Sequence, residues 1–258
     1  MMTWFATLLA TFAAAQQPAP PPVSYTLPGQ VTPAPPTIPA NAEILPFQPA
    51  AVVTRPSAAA RHFLLASAPR IPARGITFTT RCLLDRSNGR VILCLEPTVP
   101  EAWRAAALGL GSLYQFRLTP AQMAAQGPLA ITIQDRIVPA DVRPAGRLFA
   151  FAQRPPANVV FAQGLTAEQS QAYYPDNALQ MELAARVRID CQVQPDLSLF
   201  CLNPAVAPGN RPERFGADFQ LAALQLSGWL RSGPTLANGA PAPGTIFRTT
   251  IVFQVPGP

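Results

Sequence analysis

Lysine is absent from this sequence; all nineteen basic side chains are arginine. Histidine occurs once, at His62, and charged residues make up only 12% of the 258 positions. With one histidine there is no histidine-rich metal motif, and the chain also lacks a nucleophile elbow and a phosphate-binding glycine loop. His62 reads as a surface or partly packed residue on a short helix, because no partner stands near it. Asp135, Asp141, Glu182 and Asp190 read as isolated carboxylates. Asp135 beside Arg136, and Asp190 beside Arg188, are most simply exposed ion-pair positions. No catalytic constellation follows, so the expectation is a protein that is not an enzyme and holds no cofactor or metal. The formal net charge is +6, but the arginines are scattered singly instead of clustering as a nucleic-acid binder clusters them. Apolar runs of about 20 residues, long enough to span a bilayer, are missing as well, so no stable membrane span is expected.

Proline, by contrast, is abundant: 32 in all, twelve of them within residues 17–56. Residues 1–15, MMTWFATLLATFAAA, form a short apolar stretch that ends in Ala13-Ala14-Ala15 before Gln16. That pattern fits a cleavable secretory signal, although a basic leading region is missing. An uncleaved anchor and an unprocessed structural segment are the alternatives. Residues 16–56 read as a proline-rich linker. Ala19-Pro20-Pro21-Pro22 and Pro33-Ala34-Pro35-Pro36 favour extended polyproline II and offer too little side-chain volume for a core.

The organising stretch is 186–255. Val187, Ile189, Cys191 and Val193 alternate with Arg186, Arg188, Asp190 and Gln192, the period of a half-buried strand. Phe247, Ile251, Phe253 and Val255 repeat the rule in a final strand. Between them Phe219, Ala222, Ala223 and Leu226, with Trp229 or Leu230, form one apolar helix stripe. Residues 75–141 show the same order. Phe78, Thr80, Cys82 and Leu84 alternate, Asn88-Gly89 marks a hairpin, residues 102–114 hold the helix position, and Ile131, Ile133 and Ile137 mark the last strand. The chain therefore reads as an internal duplication of a strand–strand–helix–strand unit. The expected class is α+β: two small domains, each an antiparallel sheet of about three strands packed against one or two helices. Their expected limits are 57–142 and 166–258, with a connector over 143–165. Leu148, Phe149, Phe151, Val159, Val160 and Phe161 make that connector apolar enough to pack as an added strand. Ser57 and Thr166 are candidate helix N-caps, Thr166 in a capping box with Gln169.

The four cysteines form two matched pairs on hairpin arms. Of the three possible pairings, Cys82–Cys94 with Cys191–Cys201 alone keeps each bond inside one hairpin. An even count so placed points to an oxidising compartment, hence a periplasmic or secreted protein. Zinc is disfavoured, because the cysteines of a structural zinc pair are separated by two to four residues. Free buried thiols remain the other alternative.

Residues 167–255 also resemble the C-terminal domain of TonB-type energy transducers. The resemblance rests on Tyr174-Pro175 with Ala178, the Val187/Ile189/Val193 strand, Ala222-Ala223-Leu224, Pro234, Asn238-Gly239-Ala240-Pro241 and Phe253. Ala184-Ala185 stands where the family usually has a glycine, and Gln194-Pro195-Asp196-Leu197 departs from its usual hairpin turn. The resemblance implies a cell-envelope module that binds a protein or peptide, such as an outer-membrane transporter, by adding an extended segment to its last strand. The edge so implied is Arg248, Thr249, Thr250, Ile251, Val252 and Phe253. Residues 1–15 lack both the length and the histidine of the family's membrane anchor, so binding without energy transduction is expected. A structural envelope or secreted protein whose two copies cover each other's edges is the main alternative, and an enzyme inhibitor a third.

Overall fold

In this computed structural model, residues 36–142, 158–207 and 215–255 are described. The stretch read as a signal, residues 1–15, lies outside them, as do Leu148, Phe149 and Phe151 of the connector. The first half runs β1 (Glu43–Leu45), β2 (Val52–Thr54), α1 (Ala58–Leu65), β3 (Ile76–Leu84), β4 (Val91–Leu95), α2 (Arg104–Ser112), β5 (Gln115–Phe116), α3 (Pro120–Ala124) and β6 (Leu129–Ile137). The second half runs β7 (Val159–Gln163), α4 (Ala167–Ala172), α5 (Asp176–Gln180), β8 (Ala185–Val193), β9 (Leu199–Val206), α6 (Gly216–Ser227), β10 (Arg231–Leu236) and β11 (Ile246–Phe253). The fold is α+β, with antiparallel sheets backed by helices. β3 lies between β6 and β4, and β8 lies between β11 and β9. Both copies thus place their first strand centrally and return their last strand beside it.

Period-two alternation explains the sheets. Val187, Ile189, Cys191 and Val193 are buried on one face of β8, while Arg186 and Arg188 are exposed on the other. Phe219, Ala222, Ala223 and Leu226 of α6 cover the buried face. The two hairpins turn by the same chemistry. Asp85 accepts from the backbone N–H and hydroxyl of Ser87, and Asp196 accepts from those of Ser198. Gly89 completes the first turn with φ +71°; a Cβ there would fall 1.8 Å from the Phe116 carbonyl oxygen, so only glycine fits. Both disulfides, Cys82–Cys94 and Cys191–Cys201, join residues directly opposite in register. Such covalent pairs belong to a non-cytoplasmic environment. Helix α2 rests on the first of them, since a Cβ on Gly111 would come within 2.9 Å of Cys94 Sγ.

The two copies share a core. Ala59, Ala60 and Leu113 of the first half join the cluster built by β8, β9, α6 and β11. At the junction Ser57 N–H donates to Gln225 Oε1 (2.8 Å), and Ser57 Oγ–H donates to the Leu224 carbonyl (2.8 Å). Gln225 returns a hydrogen bond from Nε2 to the Arg55 carbonyl (2.9 Å). The described residues from Thr37 onward accordingly belong to one compact unit.

Two stretches read as linker join this body. The proline-rich linker was expected to reach Pro56, but β1 pairs with β6 in parallel and β2 pairs with β5. Apolar side chains set among the prolines account for it: Phe47 packs edge-on against Tyr114 and Phe116 at 6.5 and 6.2 Å, and Leu45 and Val52 join the same cluster. The first sheet therefore has four strands, where about three were expected. In the connector β7 pairs with β10 as the expected added strand, and Phe161 meets Phe247 edge-on at 6.0 Å, but Val160 and Phe161 stay exposed. The helix entering the second copy breaks at Pro175 into α4 and α5, with the Thr166–Gln169 capping box formed. Among the described residues no helix is long and apolar enough to cross a membrane.

Candidate functional site: the open edge of β11

Along its eight residues β11 stays in unbroken register with β8, from Ile246 opposite Gln192 to Phe253 opposite Ala185. Val193 N–H donates to the Thr245 carbonyl (2.9 Å), and on the other side of β8 Gln194 N–H donates to the Ser198 carbonyl (2.8 Å). Antiparallel ladders alternate, each residue bonding to one side only. Phe247, Thr249, Ile251 and Phe253 therefore turn their backbone groups to β8. Arg248, Thr250 and Val252 turn theirs outward. Among the described residues no strand pairs with that outer side.

Burial divides the side chains of this strand in the same rhythm. Phe247, Ile251 and Phe253 are buried, and the Phe253 ring packs on Tyr174 (5.7 Å) and Phe219 (5.1 Å). Arg248, Thr250 and Val252 are exposed, and Thr249 is half-buried. Beside the end of the strand a surface groove of about 400 Å³ runs between Val252 and Phe253 on one side and Ala167, Ser170 and Tyr174 on the other. The edge residues named from the resemblance thus fall on one strand, but only Arg248, Thr250 and Val252 offer their backbone to a partner.

In the first copy the corresponding strand carries a neighbour over its first three residues, Leu129–Ile131, the positions equivalent to Thr245–Phe247. Cys82 faces Ile131 as Cys191 faces Phe247, so β6 corresponds to β11. Against β6 lies β1, with Glu43, Ile44 and Leu45 beside Leu129, Ala130 and Ile131. Glu43 N–H donates to the Pro128 carbonyl (3.1 Å), and its carboxylate meets Arg86 at 3.1 Å. Further along, Arg61 donates to the Arg136 carbonyl (2.6 Å) and pairs with Asp135 (2.7 Å) and Asp141 (3.0 Å). Burial opposes the charge on Arg61, but the two carboxylates hold its pKa above the ordinary value.

Two readings of charged groups change. Asp135 and Asp141 are not isolated: Arg61 of α1 gathers both. Asp190 does not pair with Arg188. It is buried, and it accepts from Arg248 Nε at 2.6 Å and from Asn203 Nδ2 at 3.3 Å. The reason is distance: directly opposed residues on neighbouring strands lie about 5 Å apart, whereas residues two apart along one strand are separated by nearly 7 Å. His62 is partly packed, as expected: its ring lies edge-on against Phe200 of the second copy (5.9 Å), and among the described residues its buried Nδ1 has no hydrogen-bond partner. That burial lowers its pKa. Sequence reasoning missed Arg61 and β1; the signal for β1 was the apolar pair Ile44-Leu45 among prolines.

A second cleft, of about 260 Å³, lies between the copies and is lined by Arg90, Tyr114, Tyr173, Asp176 and Asp218. Arg90 and Asp176 approach to 3.5 Å across it, and burial raises the Asp218 pKa. No protein-family model, curated protein or solved structure matches this chain.

Proposed function

We propose that this chain is a binding module of the cell envelope that recruits an extended segment of a partner protein as an added strand on β11. One observation carries the reading. β6 and β11 are equivalent strands, and β6 bears a three-residue added strand at Leu129–Ile131, the start of the edge, while β11 bears none among the described residues. An unpaired edge presents a row of N–H and C=O groups that an extended peptide satisfies. The resemblance to TonB C-terminal domains supports the same reading and points to an outer-membrane transporter as the partner. The disulfides support a periplasmic or secreted location. Binding is passive, without energy transduction by this chain.

A second reading, a structural envelope or secreted protein, draws on the shared core and on the hydrogen bonds between Ser57, Leu224 and Gln225. Pairing of β6 with β11, which would bury both edges, does not occur.

Thr250→Pro tests the first reading. Proline deletes one outward N–H, which a solvent-facing edge tolerates and a paired strand does not. The expected result is loss of binding to immobilised extended peptides as long as β11, eight residues, with the fold retained. Undiminished capture of those peptides by the T250P protein overturns strand addition at this edge.

A further inference from the structure

The solvent faces of the two sheets place their arginines differently: the first has Arg81 and Arg136 where the second has Asp190 and Val252. With Cys82 and Cys191 in matching positions, Thr77, Thr79 and Thr132 of the first sheet correspond to Arg186, Arg188 and Arg248 of the second. Three hydroxyls in one copy are three guanidiniums in the other. The arginines that look scattered in the sequence are brought together here by the register. Asp190 offsets one of the charges through Arg248. Among the described residues neither Arg186 nor Arg188 has a side-chain hydrogen bond or ion pair, and both are exposed.

Both lie on the central strand, one strand in from the outer side of β11, with Ala205 of β9 opposite Arg188 on the other side. Thr250 stands opposite Arg188, and Val252 stands opposite Arg186. Both are short side chains, so the two guanidiniums can extend over β11 toward its outer side. A strand added there lies about 5 Å beyond β11 and about 10 Å from β8, a gap that an extended arginine and a carboxylate side chain close together. On the opposite face an added strand meets the groove between Tyr174, Ala167 and Ser170 and the end of β11. The strand held by the first copy shows a related chemistry, with Glu43 paired to Arg86 next to the apolar Ile44 and Leu45.

We infer that the segment taken up by β11 is acidic, with Asp or Glu at the alternate positions beside Thr250 and Val252 and apolar residues on the groove side. This rests on strand addition at β11 and supplies the chemistry of the partner. Complementary charge on one face also selects register, since a slip by one residue would turn the carboxylates to the apolar side.

The full chain is titrated with two fluorescent eight-residue peptides, one alternating Glu and Val, the other alternating Gln and Val, by anisotropy. The Glu peptide is expected to bind about tenfold tighter, a difference of about 1.4 kcal/mol. That preference should vanish at about 0.5 M salt. It should also vanish in the double variant R186T/R188T, which installs the first copy's residues at exposed positions and should keep the thermal midpoint. T250P should abolish binding of both peptides. Equal affinity of the two peptides for the unaltered chain overturns the acidic partner and leaves strand addition standing. Selective Glu-peptide binding that survives T250P overturns the inference, because the contact is then charge attraction without an added strand. No binding of either peptide overturns the strand-addition reading along with it. Binding to vesicles containing phosphatidylglycerol, with no preference between peptides, also overturns it and replaces the peptide with an anionic surface.

Discussion

Arg248 Nε lies 2.6 Å from Asp190 Oδ1, across the one register position where the two residues face each other. The pair ties the outermost strand of the second sheet to its centre on the solvent face, while Phe247, Ile251 and Phe253 do so on the buried face. Its two members are unequal: the Asp190 side chain is 6% exposed and that of Arg248 51%. Removing the arginine strands a buried carboxylate, whereas removing both leaves nothing uncompensated. Arg248→Ala should therefore cost about 1–2 kcal/mol, less than a fully buried pair because one partner is in water. The double variant Arg248→Ala with Asp190→Asn should recover part of that loss. Urea denaturation of the three proteins measures it.

Phe253 and Thr250 belong to the same strand but face different environments. Phe253→Ala opens a cavity among Tyr174 and Phe219 and should cost about 3–5 kcal/mol. Thr250→Pro should shift the thermal midpoint by no more than a few degrees, about 1 kcal/mol or less. Equal destabilisation by the two changes would mean that the outer side of β11 is paired in the intact protein, and would favour the structural reading.

Ser57 caps α1 and bonds α6 at once: its Oγ accepts from Ala60 N–H at 3.0 Å while donating to the Leu224 carbonyl. Ser57→Ala should cost about 1–2 kcal/mol, for the cap and the lost hydrogen bond. Gly228→Ala should also destabilise, because its Cβ would lie 2.8 Å from Ser57 Cβ. Since the copies share a core, scanning calorimetry should show one unfolding transition for both; two resolved transitions would contradict a common core.

His62 supplies a pH dependence of known sign. Burial lowers its pKa in the folded protein below the ordinary value of about 6.5. The unfolded chain then binds the proton more readily. The stability His62 contributes is full above about pH 6.5 and falls as pH drops through the folded-state pKa. His62→Leu keeps an apolar contact with Phe200 and should flatten the thermal midpoint between about pH 7.5 and pH 5.5. An unchanged slope in H62L would assign the pH dependence to other groups.

Sequence by itself determined the parts governed by near neighbours. Alternation set which face of β3, β8 and β11 is buried, because side chains on a strand point to opposite sides in turn. Paired with the hairpin turns at Asn88-Gly89 and Asp196, that alternation also indicated which cysteines face each other, since each pair lies a short loop apart; that the bonds form is seen only in the structure. The caps at Ser57 and Thr166 and the break at Pro175 are likewise written in adjacent residues. What only the tertiary structure decided depends on strands far apart in the chain. Arg248, not Arg188, reaches Asp190; Arg61 gathers Asp135 and Asp141; Glu43–Leu45 leaves the proline-rich stretch to pair with Leu129–Ile131 of β6, while no described strand lies on the outer side of β11. The arginine face at Arg186, Arg188 and Arg248 exists only once β11 has been laid beside β8. Register between distant strands selects these partners, and no local pattern encodes it: an arginine at a given position looks the same in sequence whichever strand is folded against it.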